Sequence, residues 1–345
     1  MTQIPCPWRA GTLPSGVSDT ICDVPGVSVG HSTLSEGSIQ TGVTVLRAHA
    51  DSHYLHKVPA AATVINGFGK SVGLMQLDEL GVLETPIALT NTFSIPAVAQ
   101  AQIAQAILLH PEIGRAWPTV NPLVFECNDG YLNDIQAMQV TATHYQRAYE
   151  TASASFEQGA IGAGRGMSCF GLKGGIGSAS RLVGGDARSY TVGALVLSNF
   201  GKQKNLTILG RPVGQQIASA SVQVQPSAEK GSIIIVLATD APLDARQLRR
   251  LSARAAAGLA RTGSYFGHGS GDIALAFSTA YTLPFSQAEA MPAIQFLHET
   301  RLEAYFEAAA DVTEQAILSS LWHAEAVVGR DGHRRVSLRT IAPVW

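Results

Sequence analysis

The stretch Gly267–Ala280, GHGSGDIALAFSTA, sets one serine between two glycines and passes at once through an acid into an apolar run. Ile273–Ser278 is short, apolar and bounded by glycine and polar residues, which predicts a strand. Ser270 then stands at the mouth of that strand. The G-x-S-x-G elbow of α/β-hydrolases needs glycine two places either side of its serine, and the chain has His268 and Asp272 there, so that elbow is excluded. What remains is a small residue, a hydroxyl and a strand. Cutting the Gly269–Ser270 bond would make Ser270 a chain start with a free α-amine. Such an amine titrates near pH ~8 and can take the proton of the neighbouring hydroxyl, with no histidine required. Gly269 has no side chain to shield its carbonyl from that oxygen. In an ordinary surface loop the same triplet is only a hinge.

Outward from this stretch, β-rich runs come in succession. Gly26–Gly30, Gly42–Arg47, Ala61–Asn66 and Pro86–Thr90 read as strands. Ser94-Ile95-Pro96 opens a helix that runs to about His110, with proline in the first turn. A strand over Pro122–Cys127 precedes a helix predicted from Asn133 to Ala154. Strands follow at Thr191–Ser198 and Ser232–Thr239, then a helix capped by Asp244 and running through Arg261. Glu299–Val328 reads as a long helix, and VVGRDGHRRVSL as a closing hairpin around Asp-Gly. Strands grouped between helices, rather than alternating with them, favour an α+β layered sandwich over a doubly wound sheet. Gln223–Lys230 reads as a linker or a long loop.

The 345 residues suffice for one large layered domain or two smaller ones. Only 14% are charged, against a usual quarter, and 34 are glycine, which predicts close backbone packing and surface hidden between subunits. A net charge of −2 without a basic cluster excludes nucleic-acid binding. Cys6, Cys22, Cys127 and Cys169 are scattered, which reads as a reduced, cytoplasmic chain without a metal knuckle. The opening MTQIPCPWRAGTLPSG lacks a basic segment leading into an apolar one, and no apolar run approaches the length that crosses a bilayer, so no membrane partner is expected.

Three motifs fail as chemistry. GFGKSVG, Gly67–Gly73, has Gly-Lys-Ser, but Val64 stands where a phosphate loop needs glycine. His53 and His56 near Asp51 have a ligand spacing without a third ligand and read as a polar surface loop. The run Gly159–Arg181 is either an anion-binding nest or a set of tight turns. Two acids are more informative. Glu126 sits in PLVFECNDG, where a strand would bury its carboxylate, at a cost unless a cation pairs with it: an arginine of the fold or a substrate ammonium. On the late helix Phe306, Ala310, Ile317 and Leu321 span about 60° at roughly 100° per residue, and Glu314 lies about 20° beyond, so it should be half buried.

GHGSGDIALAFSTA together with INGFGKSVGLMQLDELGVLETPIALTNT, FECNDGYLNDI, GAGRGMSCFGLKGGIGSASR, VGALVLSNFG and SIIIVLATDAPL resembles the DmpA-like family of self-processing aminopeptidases, which includes L-aminopeptidase/D-esterases and β-peptidyl aminopeptidases. The likeness covers nearly the whole chain in the expected order. It implies an αββα sandwich of the N-terminal-nucleophile hydrolase kind and one domain cut between Gly269 and Ser270 into residues 1–269 and 270–345. It also implies a homotetramer, no metal or organic cofactor, and a small peptide or aminoacyl amide substrate. Carried over by position, Ser270 resembles the nucleophile and Glu126 the acid that binds the substrate amino group. Tyr131 and Asn199 match residues of the oxyanion site or pocket, and Glu314 matches the late-helix acid. The chain departs from the pattern at Val312, where a serine is expected, and at His268, where an asparagine is. Two other readings are a self-cleaving acyltransferase and a binding protein of the same fold that no longer processes itself.

Overall fold

The computed structural model describes residues 4–185, 188–219 and 231–341; the expected linker Gln223–Lys230 lies outside them. The chain opens with strands β1 (Ser28–Glu36), β2 (Ile39–Arg47) and β3 (His56–Gly67), then helix α1 (Leu74–Leu80) and strand β4 (Val82–Leu83). A β–α–β unit follows: β5 (Ile87–Asn91), α2 (Ile95–Leu109) and β6 (Leu123–Cys127). After α3 (Ala142–Glu150), the short hairpin β7 (Ser168–Cys169) and β8 (Leu172–Lys173) leads into the long β9 (Gly175–Gly185) and β10 (Arg188–Asn199). Then come α4 (Val213–Ser219), β11 (Ser232–Thr239), α5 (Ala245–Arg261), β12 (Gly271–Ser278), β13 (Leu283–Pro284) and α6 (Glu303–His323). The hairpin β14 (Val327–Val328) and β15 (Arg334–Arg335) and helix α7 (Leu338–Ile341) close the chain.

Two sheets result. One runs β1-β2-β5-β6; the other runs β13-β3-β12-β11-β10-β9, with β4 also on β3. Among the described strand pairs only β5–β6 and β11–β12 are parallel, each joined by a helical crossover, α2 and α5. Helices α2 and α3 cover the outer face of the first sheet, α5 and α6 that of the second. The order is helix, sheet, sheet, helix, the expected αββα sandwich.

Strand alternation builds these layers. Ile233, Ile235 and Leu237 of β11 face the α5/α6 core, whereas Ile234, Val236 and Ala238 face the core between the sheets. In β12 Ala274 and Ala276 take the first face and Ile273, Leu275 and Phe277 the second. A strand covered on both faces is apolar throughout, which is why these two runs were plain in the sequence. Each such Val, Ile, Leu or Phe contributes roughly 1.5–3 kcal/mol by leaving water. Glycine lets α6 lie close to its neighbours: a Cβ on Gly177 would sit 2.0 Å from the Ala316 carbonyl oxygen, and one on Gly258 2.2 Å from that of Ala310.

Several expectations need correction. The helix predicted over Asn133–Ala154 is confined to Ala142–Glu150. Before it a 3-10 turn ends at Met138, whose φ of +44° no helix accepts. The late helix is Glu303–His323, its predicted tail becoming β14. The closing hairpin forms, with Asp331 and Gly332 both at positive φ. Against the expectation that no apolar run approaches the length that crosses a bilayer, the helical run Thr92–Leu109 is long and apolar enough by length and composition; one third of it is buried.

Candidate active site

The strand ends β3, β6, β10 and β12 meet at one rim of the sandwich, and Ser270 lies there. Its bond to Gly269 leaves a tight turn closed by the Ser270 amide donating to the Gly267 carbonyl at 2.9 Å. Ser270 Oγ donates to Asp272 Oδ1 at 2.5 Å, and both residues are buried. Asn66, the register partner of Asp272 on β3, donates from Nδ2 to the carbonyls of Gly267 and Ser270 and, at 3.5 Å, His268. Gly271 packs so tightly that a Cβ would lie 2.5 Å from the Phe68 carbonyl oxygen. The turn is thereby fixed against the segment that follows β3.

That same segment reaches Glu126. The Lys70 amide donates to Glu126 Oε1 at 2.9 Å and the Thr92 hydroxyl donates to Oε2. Glu126 is 3% exposed, and among the described residues no cation pairs with it. Two residues beyond, the Asn128 carbonyl accepts from Asn199 Nδ2 at 2.8 Å, while Asn199 Oδ1 accepts the Ser168 amide at 2.8 Å. These bonds assign the two ends of the Asn199 amide and leave one Nδ2 hydrogen. Asn199 pairs with Ser232, and Ser232 with Gly271, so roughly 10 Å of sheet separates Asn199 from the start of β12. Tyr131 stacks on His333, ring centroids 4.6 Å apart, and the Arg335 guanidinium carbon lies 3.6 Å from its ring centre. Burial lowers the pKa of Arg335, and Tyr131 draws it back up.

Glu314 is set apart from this group. It is 5% exposed rather than half buried, because α6 packs against α5 on one side and β9 and β10 on another. Its Oε2 lies 3.6 Å from Arg261 Nη1, which also holds Asp311 Oδ1 at 2.7 Å. Burial raises the Glu314 pKa; Arg261 opposes that and Asp311 adds to it. No hydrogen bond joins Glu314 to Ser270 among the described residues.

The other motifs resolve without ligand chemistry. GFGKSVG forms no phosphate loop: Val72 bridges Val124 at the edge of β6. His53 is buried, not a surface loop residue, and its Nε2 accepts the Ala48 amide. No cluster of metal-ligating residues occurs among the described residues. Part of the glycine-rich run has a polarity opposite to an anion nest. The carbonyls of Gly164, Met167 and Gly174 converge on the buried Lys173 ammonium at 2.6 to 2.8 Å.

Sequence reasoning missed Asn66, Thr92 and Asp129. Asp129 is wholly buried beside Asn128, accepts from Asn133 Nδ2 at 3.0 Å, and has its pKa pushed up to about 7 by burial, against hydrogen bonds that include Thr41 and Asn133. The ECNDG motif was the one local signal for it. Asn66 and Thr92 had none, since their roles follow from strand register.

A model of peptidase family S58 matches residues 19–335. A β-peptidyl aminopeptidase, BapA, of Sphingosinicella microcystinivorans is 38% identical over 92% of this chain and 85% of its own. Among solved structures, a Burkholderia sp. β-aminopeptidase superposes with a TM-score of 0.89 at 38% identity, covering 98% of each chain. The L-aminopeptidase D-Ala-esterase/amidase of Ochrobactrum anthropi, described as a prototype for the serine aminopeptidases and a variant of the Ntn hydrolase fold, superposes with a TM-score of 0.89 at 33% identity over 97% of this chain and 96% of its own. The layers seen here are of that kind, and the chain belongs to peptidase family S58, the peptide hydrolases with this Ntn-type fold.

Proposed function

We propose that the chain is a self-processing serine aminopeptidase that cuts itself between Gly269 and Ser270 and then releases N-terminal aminoacyl groups from peptides, amides or esters. The observation that carries this is the meeting, at one rim, of a serine at a strand mouth with a buried carboxylate that no cation of the described chain neutralises. The β-peptidyl and L-aminopeptidase relatives support the same substrate class.

In turnover the α-amine of Ser270 takes the hydroxyl proton and Oγ attacks the scissile carbonyl. An acyl-enzyme forms, the leaving amine takes the proton, and water releases the acyl group. The remaining Asn199 Nδ2 hydrogen holds the developing oxyanion, and Tyr131 is assigned to the same oxyanion site or pocket; a donor of this kind contributes about 3 kcal/mol. Glu126 accepts the substrate ammonium, so a blocked amino terminus leaves the carboxylate unpaired and is rejected. Glu314 acts as a positioning residue: its pair with Arg261 fixes the end of α5, from which the segment leading to Ser270 departs. Phe93, Ile107, Leu108 and Leu109 expose an apolar, uncharged face along the α2 region, which supports burial between copies in a homotetramer. Four free cysteines suit a reducing, cytoplasmic setting.

The test is a denaturing gel with N-terminal sequencing of the small fragment. The wild type should yield two chains, the smaller beginning at Ser270, and Ser270→Ala one uncut chain without aminoacyl p-nitroanilide hydrolysis. A persistent full-length wild type with full activity would sink the proposal.

A further inference from the structure

Resting on that reading, the Ser270 hydroxyl acts twice, and the base available differs between the two acts. After cleavage the α-amine serves. Before cleavage that nitrogen is an amide whose hydrogen is given to the Gly267 carbonyl at 2.9 Å, and an amide nitrogen does not accept a proton at neutral pH. Another acceptor is needed for the first act. Ser270 Oγ already donates to Asp272 Oδ1 at 2.5 Å, with Ser270 4% exposed and Asp272 not exposed at all.

This contact is built in at several levels. Residues two apart on a strand point to the same face, so a serine at the mouth of β12 and an acid two places on must meet. Asp272 is paired in register with Asn66, and the ladder shifts directly after it, between Asp272 and Ile273. Asn66 meanwhile holds the carbonyls on both sides of the turn that contains the scissile bond. One cross-strand pair therefore fixes the turn with one member and the hydroxyl with the other.

We propose that Asp272 is the general base of the self-cleavage step, a catalytic role distinct from turnover. The Asp272 carboxylate takes the Ser270 hydroxyl proton as Oγ bonds to the Gly269 carbonyl carbon. The carbon–nitrogen bond then breaks, and the proton passes from the Asp272 carboxyl to the departing nitrogen, which becomes the Ser270 α-amine. Gly269 is left as an ester on Ser270 Oγ. One water hydrolyses that ester, its hydroxyl going to the Gly269 carboxyl and its remaining proton to Oγ.

The experiment follows cleavage of freshly purified full-length wild type, D272N and the double variant S270C/D272N by denaturing gel and intact mass, with and without hydroxylamine, which cuts esters and leaves amides. D272N should cut at least about a hundredfold slower than wild type, the low end for loss of a general base. Hydroxylamine should not speed release of fragment 270–345 from it, because formation of the ester, not its breakdown, is the slowed step. A cysteine ionises near pH ~8.5 without an assisting carboxylate, so S270C/D272N should cut at least tenfold faster than D272N, at a rate that rises with pH. That recovery excludes misfolding as the reason D272N stays whole. D272N cutting within about threefold of wild type, hydroxylamine speeding release of the fragment from D272N, or no recovery in the double variant would each overturn the role of Asp272 while a cleaving wild type leaves the aminopeptidase reading standing. A wild type that never cuts overturns both.

Discussion

Glu126 at the rim and Glu314 in the helix layer are buried to the same degree, 3% and 5% exposed, and differ in what faces them. Glu126 takes a backbone N–H from Lys70 and a hydroxyl from Thr92, both neutral donors. Glu314 faces Arg261, a cation it shares with Asp311. A buried carboxylate costs several kcal/mol unless compensated. For Glu314 the chain supplies the compensation; for Glu126, among the described residues, it supplies hydrogen bonds and no charge. Burial alone therefore does not mark a binding acid. The binding role proposed for Glu126 rests on a counter-charge that the described residues do not supply and a substrate ammonium would bring.

The comparison breaks first at Glu126→Gln. The amide keeps the shape and can still accept from Lys70, but it offers no charge to an ammonium. Loss of one member of a desolvated charge pair costs about 4 kcal/mol, so kcat/KM on substrates with a free amino terminus should fall on the order of a thousandfold. Hydrolysis of an N-acetylated analogue should stay at its low wild-type level. Equal rates on free and acetylated substrates in the wild type would show that Glu126 does not read the amino group.

Asp129 sharpens the contrast as a third buried acid, held by Asn133 and pushed up to about 7 by burial. A carboxyl raised above its ordinary value favours the protonated form in the fold. Its stabilising contribution is full below the unfolded value near 4 and is lost as pH rises through 7. Asp129→Asn keeps the acceptor and removes the titration. Urea unfolding from pH 5 to pH 8 should therefore show the wild type losing about 2 kcal/mol relative to the variant. Parallel curves would mean that Asp129 is ionised throughout.

What could be read in the sequence follows from how local the physics is. β11 and the Ile273–Ser278 run of β12 were legible because both faces are buried and every residue there is apolar or a small hydroxyl residue. Half of β9 was hidden in the glycine-rich run. Glycine has little strand preference of its own, and its use there, letting α6 approach at Gly177, depends on residues some 140 positions away. Ser270 and Glu126 were legible because a serine at a strand mouth and an acid in an apolar strand are unusual in their own neighbourhoods. Asn66 could not be found this way, since its bonds to Gly267 and Ser270 exist only in the register of β3 on β12. Periodicity put Glu314 at a stripe margin, correct for a helix covered on one side. α6 is covered on more than one, and every residue from Ala308 to Leu321 is buried.

The smallest effect tests the compensated side. Arg261→Met keeps the side-chain length and removes the cation from Asp311 and Glu314. Arg261 is nearly half exposed, so water screens the pair and the loss is well below that of a fully buried bridge, about 1 kcal/mol. The loss should grow with pH: Glu314, already raised by burial, is pushed further up without Arg261, and a raised carboxyl gives up stability as pH rises through its folded value. Thermal melts at pH 5 and pH 8 should therefore separate variant from wild type more at pH 8, with Arg261→Lys close to wild type at both. If methionine and lysine behave alike, the cation does not compensate these acids, and the distinction between the two glutamates reduces to their hydrogen bonds.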